Sequence, residues 1–187
     1  DSSLVNIGTL NLTGGINTNA ITNDNGILNF SNDVINQGLI ENGRVNNEGN
    51  LLNESSVIAD IYNSGMLMSN ASLLTDTDSS LVNTGTLNLT GGTNQNTIVN
   101  AGGTTNFYNN VINAGLIENG IVRNEGNLVN ESSIVANIYN YGSLTTDADK
   151  LSDSDQNIIN EGTLEFTGGE NTNRVTGDGT TVIAGNV

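Results

Sequence analysis

The chain of 187 residues carries 4 Lys+Arg against 20 Asp+Glu, a formal net charge of −16, with 35% hydrophobic residues and no Cys, His, Pro or Trp. This composition excludes thiolate nucleophiles, Ser-His-Asp triads, His/Cys zinc sites and disulfide scaffolds, and it leaves little to neutralise the phosphates of nucleic acid or an anionic membrane. No apolar run approaches the ~20 residues of a membrane span, and Asn is the outlier, with 36 copies beside 23 Gly.

Low hydrophobicity with one-sided charge is also a signature of disorder. Here the apolar residues are mostly Ile, Leu and Val, the strand formers, and they recur in register, so an ordered structure is expected. Residue 1 is Asp, which reads as a processed chain or an excised piece.

In chain order, the first predicted element is Thr9-Leu10-Asn11-Leu12-Thr13. Its alternation with period 2 places Leu10 and Leu12 on one face and Thr9, Asn11 and Thr13 on the other. Asn-x-Gly tripeptides punctuate such segments. They occur at Asn6/Gly8, Asn36/Gly38, Asn47/Gly49, Asn63/Gly65, Asn83/Gly85, Asn100/Gly102, Asn113/Gly115, Asn124/Gly126, Asn140/Gly142 and Asn160/Gly162. Each is expected to be a corner, with Gly supplying φ > 0 and Asn tolerating the left-handed region. A helix is disfavoured, because Gly and Asn at this density cost about 0.5–1 kcal/mol each relative to Ala.

Asp1–Gly15 returns at Asp78–Gly92 and, more loosely, from Asp155 to Gly169, an offset of 77 residues both times. Residues 1–77 and 78–154 share about 50 identities without a gap, and 155–187 is a partial third copy. The chain thus reads as a single solenoid of two repeats and a fragment. Dividing 77 residues into about four units gives coils of about 19 residues, each with three short strands and three corners. The expected fold is an all-β parallel β-solenoid (β-helix) of about ten coils, roughly 45–50 Å long at ~4.8 Å per coil. Irregular coil lengths favour the right-handed form by analogy. Leu10/Leu12, Leu87/Leu89, Leu164/Phe166 and the pair Phe30/Phe107 are expected inside. The corner asparagines are expected to chain their amides into ladders along the axis.

Glu161–Asn173, followed by Gly179-Thr180-Thr181-Val182-Ile183-Ala184-Gly185, resembles the passenger repeats of autotransporter adhesins. Gly85–Gly92 and Gly102–Thr105 fit the two halves of the same pattern. The resemblance implies a right-handed β-helix exported by a Gram-negative cell and displayed on its surface.

The candidate chemistry is sparse. Glu41, Glu48 and Glu54 recur as Glu118, Glu125 and Glu131. Carboxylate pairs serve glycosidases, but acids duplicated about four coils apart read as corner or surface features. Arg44 is matched by Ile121 and Arg123 by Asn46, so neither cation is kept by its repeat partner. Asp76 and Asp78, with Asp153 and Asp155, alternate oxygen ligands in a manner suited to Ca²⁺, against the plainer reading of a solvated acidic loop. Otherwise no cofactor is expected. Thr104-Thr105 and Thr180-Thr181 are too few for an ice-binding array. Tyr62/Tyr139, Tyr108 and Tyr141 suit either sugar stacking or, for the first pair, partial core packing. The expected function is that of a non-enzymatic surface-displayed solenoid, a segment of an adhesin or stalk in cell-surface, host or biofilm contact. Its partners would be another copy or a surface glycan, with no nucleic acid and no membrane insertion of this segment. The alternatives are a filament unit stacking head to tail and a β-helix polysaccharide lyase or hydrolase.

Overall fold

A computed structural model describes residues 3–74, 80–151 and 157–187. All strand pairings are parallel, and they form two hydrogen-bonded sheets of 18 and six strands. Partner strands lie 16 to 20 residues apart in sequence, as in Ser3↔Ala20, Asn50↔Met66 and Met66↔Thr86. The chain is a parallel β-solenoid of about ten coils.

Three faces run the length of the stack. Face one begins with Ser3–Val5 and Ala20–Thr22, face two with Thr9–Leu12 and Ile27–Phe30, and face three with Gly15–Asn17 and Asp33–Asn36. Ile40–Asn47 and Val57–Asn63 each bend across a corner. Their first halves continue face one and their second halves face two. Four coils therefore use twelve face segments. A thirteenth follows: a 3-10 turn at Ala71–Leu73 leads to Leu74, which bridges Val57 on face one.

The repeat boundary falls after that thirteenth segment. Ser80–Asn83, the copy of Ser3–Asn6, therefore stacks on Val57–Asn63 in face two instead of on face one. Thr86–Leu89, the copy of Thr9–Leu12, stacks on Met66–Ser69 in face three. The 77-residue unit thus makes four and one third coils rather than the four that the glycine spacing suggested, and each repeat is rotated by one face from the last. Equivalent residues do not stand above one another.

The strands follow a common rule. In Asp33–Asn36, Asn50–Asn53, Asn127–Asn130 and Asn157–Asn160 the second residue is buried and apolar, and the fourth is a buried Asn. The interior holds one column of aliphatic side chains per face, including Leu28, Ile40, Leu87, Leu128 and Leu164 at 0% exposure. Leu89, Phe166, Phe30 and Phe107 are buried as expected, whereas Leu10 and Leu12 are only partly covered.

The corners carry the asparagine ladders. At the corner leaving face three, Asn17 donates to Asn36, Asn36 to Asn53, and Asn53 to the Ser69 hydroxyl, over 2.8, 2.8 and 3.1 Å. Ser69 in turn donates to the Asn70 carbonyl at 2.9 Å, so the ladder closes on backbone before the column turns apolar at Leu89 and Phe107. Above Phe107 the same column resumes with Asn124, Asn140 and Asn160, joined over 2.7 Å at both steps. At the corner leaving face one, Asn94, Asn113 and Asn130 end likewise on the Thr146 hydroxyl. At the corner leaving face two, Asn47, Asn63, Asn83 and Asn100 form an unbroken run across the repeat boundary. The ladders thus recruit Asn17, Asn53, Asn94 and Asn130, which lie outside the Asn-x-Gly series.

The glycine half of that motif acts differently from expectation. Gly102 takes φ 90 as expected, but Gly8, Gly38, Gly49, Gly65, Gly85, Gly115, Gly126, Gly142 and Gly162 do not adopt positive φ. Gly65 and Gly142 show what they do instead. A Cβ on either would lie under 3.0 Å from a carbonyl oxygen of the coil beneath, that of Gly49 or Gly126. Those oxygens accept from Met66 and Ser143 at 2.9 and 2.8 Å. Glycine is required because two corners stack backbone on backbone. Positive φ falls instead on Asn25, Asn32, Asn42, Asn109 and Asn119, among others.

Candidate ligand-binding face

Outward side chains at the third strand position stack in rows. On face three the row runs Ile16, Ile35, Leu52, Met68, Asn88, Asn106, Arg123, Tyr139, Ile159, Thr176, each residue registered on the next. On face two it runs Asn11, Asn29, Asn46, Tyr62, Val82, Val99, Glu118, Val135. The four-residue panel ending in Tyr62 is the repeat copy of the panel ending in Tyr139. One-face rotation carries it from face two to face three. The outside of the rod is therefore tiled by panels four coils tall, one aliphatic and one amide-aromatic panel standing end to end on face three.

The amide-aromatic panel carries an external ladder. Asn46 donates to Asn29, and Asn29 to Asn11, each over 2.8 Å. Arg44 donates through Nε to Asn46 Oδ1 at 2.6 Å, and its guanidinium lies 3.7 Å from the centroid of the Tyr62 ring. In the second copy Asn106 donates to Asn88 at 2.8 Å, Arg123 stands where Asn46 does, and its guanidinium lies 5.1 Å from the Tyr139 ring. Neither arginine is kept by its repeat partner in the sequence. The two arginines hold different repeat positions, one diagonal to its tyrosine and one directly across from it, yet they deliver a cation to equivalent rings, Arg44 to Tyr62 and Arg123 to Tyr139. Such a contact contributes about 0.5–1 kcal/mol at an exposed site. Tyr62 and Tyr139 point outward, which decides against core packing for Tyr62, 36% exposed.

A shallow groove of about 260 Å³ beside Tyr62 is bordered by Arg44, Glu48, Val82 and Thr84. A second, of about 450 Å³, lies beside Tyr139 and is lined by Asn137, Asn157, Ile159, Arg174 and Thr176. Three of the chain's four basic residues thus border these two tyrosines. The fourth, Lys150, belongs to the 3-10 turn Ala148–Leu151.

The other candidate residues scatter. Glu41 faces outward on face one and its copy Glu118 on face two, while Glu48, Glu54, Glu125 and Glu131 are exposed at corners. Glu54 accepts from Gln37 at 2.9 Å. Asp76, Asp78, Asp153 and Asp155 lie outside the described residues. Asp147 and Asp149 accept backbone N–H groups of Asp149 and Glu170, and among the described residues no three Asp or Glu converge on a point. Thr105 is buried and donates to Asn100 Oδ1 at 2.9 Å, so the Thr104-Thr105 pair presents only one outward hydroxyl. Tyr141 is exposed and Tyr108 half-buried.

Compared with protein-family models, with curated proteins and with solved structures, the chain gives no match.

Proposed function

We propose that this chain is a non-enzymatic, surface-displayed β-solenoid, a segment of an adhesin or stalk that spans distance and presents its side faces to a partner. The observation that carries the reading is the tiling of those faces. Outward positions serve neither the core nor the buried ladders, yet they are grouped by type into panels, and the amide-aromatic panel recurs in the second repeat with Arg123 in place of Asn46 and its Tyr–Arg contact rebuilt from that position. The resemblance to autotransporter passenger repeats supports the same reading and adds an extracellular location. The duplicated carboxylates favour structure over catalysis, because rotation sends Glu41 and Glu118 to different faces.

The test is display of the chain on a bacterial surface through a heterologous outer-membrane anchor, scored by adhesion to abiotic surfaces, host cells and glycan-coated beads. Adhesion above that of anchor-only cells is expected, and none on any surface would refute the adhesive role. Electron microscopy should show separate rods about ten coils long; filaments lengthening with concentration would replace this reading with end-to-end assembly. Cleavage products in a polysaccharide-degradation screen would replace it with an enzyme.

A further inference from the structure

We infer that the groove beside Tyr139 binds a saccharide bearing a carboxylate. The inference deepens the adhesive reading and rests on it. Its starting point is how the two copies of one site differ. Around Tyr62 acids outnumber cations, since Arg44 is registered directly on Asp60 and Glu48 borders the groove. Around Tyr139 the copy of Asp60 is Asn137, the copy of Thr97 is Arg174, and Arg123 replaces Asn46. The second site has lost the Asp60 carboxylate, keeps Glu125 (the copy of Glu48) outside its groove lining and holds two cations, on a chain whose net charge is −16.

Geometry places those cations on opposite sides of the ring. Arg123 lies one coil before Tyr139, and Arg174 two coils beyond it on Asn157. Among the described residues no Asp or Glu lines the groove between Tyr139 and Arg174. Its floor is Asn157 and Ile159, with Asn137 and Thr176 at the sides. A half-exposed aromatic and an aliphatic side chain offer apolar faces to a sugar ring. Two amides and a hydroxyl offer both donors and acceptors to ring hydroxyls. A planar guanidinium matches a carboxylate in bidentate fashion. A neutral sugar would leave Arg174 unused, and an acidic peptide would have less use for the amide-lined floor.

The experiment is titration of the purified chain at 0.15 M salt, where the Debye length of about 8 Å screens the distant acids. The probes are trigalacturonate and 3′-sialyllactose, with the trigalacturonate methyl ester and lactose as neutral partners. At least one acidic probe is expected to bind about tenfold or more tightly than its neutral partner, the scale of a hydrogen bond to a charged group. Arg174→Gln, at an exposed position, and Tyr139→Ala should each weaken that binding about tenfold or more, while Arg44→Gln, at the other tyrosine, leaves it unchanged. Melting curves by circular dichroism verify the fold of each variant. Binding of neither acidic probe, equal binding of acid and neutral forms, or indifference to Arg174→Gln would each overturn the inference. So would stronger competition by a poly-glutamate peptide than by the sugars. If displayed cells adhere equally with and without Arg174→Gln, the groove fails and the adhesive role stands; if they never adhere, the adhesive role fails whatever the groove binds.

Discussion

Replacing Asn113 by Leu tests the ladder directly. Asn113 is fully buried. Its Oδ1 accepts from Asn94 at 2.8 Å, and its Nδ2 donates to Asn130 Oδ1 at 2.9 Å and to the Gly115 carbonyl at 2.8 Å. Leucine fills a similar volume but makes none of these bonds. Asn94 keeps its contact with the Asn96 carbonyl, whereas Asn130 Oδ1 is left buried without that donor and Gly115 loses its side-chain partner. Each buried polar group left unpaired costs about 1–3 kcal/mol, so the substitution should destabilise by about 3–5 kcal/mol. Asn109 provides the comparison. It sits at φ 56 on an exposed corner, and its amide donates only to the Thr90 carbonyl at 3.1 Å. Leucine there costs about 1–2 kcal/mol through the left-handed backbone alone, and Gly should cost far less. The assay is urea unfolding followed by circular dichroism, with the midpoint compared at constant slope. Equal losses for Asn113→Leu and Asn109→Leu, or a neutral Asn113→Leu, would refute the claim that amide ladders stabilise the corners.

Gly142→Ala should destabilise by about 1–3 kcal/mol through overpacking against the Gly126 carbonyl. Gly8→Ala, in the same motif but with open space around its Cβ, should be neutral in the same urea assay. Phe107→Ala empties a site of 1% exposure and should cost about 3–5 kcal/mol, read as a lowered unfolding midpoint. Removing calcium with EDTA should leave the melting temperature unchanged if the acidic pairs at Asp76/Asp78 and Asp153/Asp155 are solvated; a drop would assign them to the metal instead.

The solenoid was legible because its two main signals are local. Alternation marks a strand that faces a core on one side, and a recurring Asn-x-Gly marks a corner. The rotation was not legible, because glycine marks only some corners. The chain turns at Ala59 and Ala136 inside continuous strands, and at Leu12 and Leu89, where a leucine stands in the place of the corner Asn. The thirteenth segment passes through a 3-10 turn and carries no strand pattern. Counting glycines therefore yields whole coils and misses the extra third. The corner glycines resemble ordinary turn glycines in sequence, since an obstacle 16 to 20 residues away leaves no local trace. The Tyr–Arg contacts were hidden for a related reason. Arg44 and Arg123 occupy non-equivalent repeat positions, and only cross-coil register shows that they adjoin equivalent tyrosines, Tyr62 and Tyr139.

The extra third of a coil explains why ladders cross the repeat boundary intact. Asn47 and Asn63 stand at the corner leaving face two. Asn6 and Asn23 stand at the corner leaving face one, where their run ends as Asn42 takes up positive φ and Ala59 follows. With four whole coils per repeat, Asn83 and Asn100, the copies of Asn6 and Asn23, would return to that interrupted corner. Rotation places them on Asn63 instead, and four amides run on without a break. The same offset turns every outer panel by one face per repeat, and three repeats make thirteen whole coils before a panel returns to its first face. Gaining or losing one 77-residue unit would preserve the coil-to-coil register while turning all that follows by a third of a turn. In a chain lengthened in this way, successive tyrosine grooves would point in three directions around the rod.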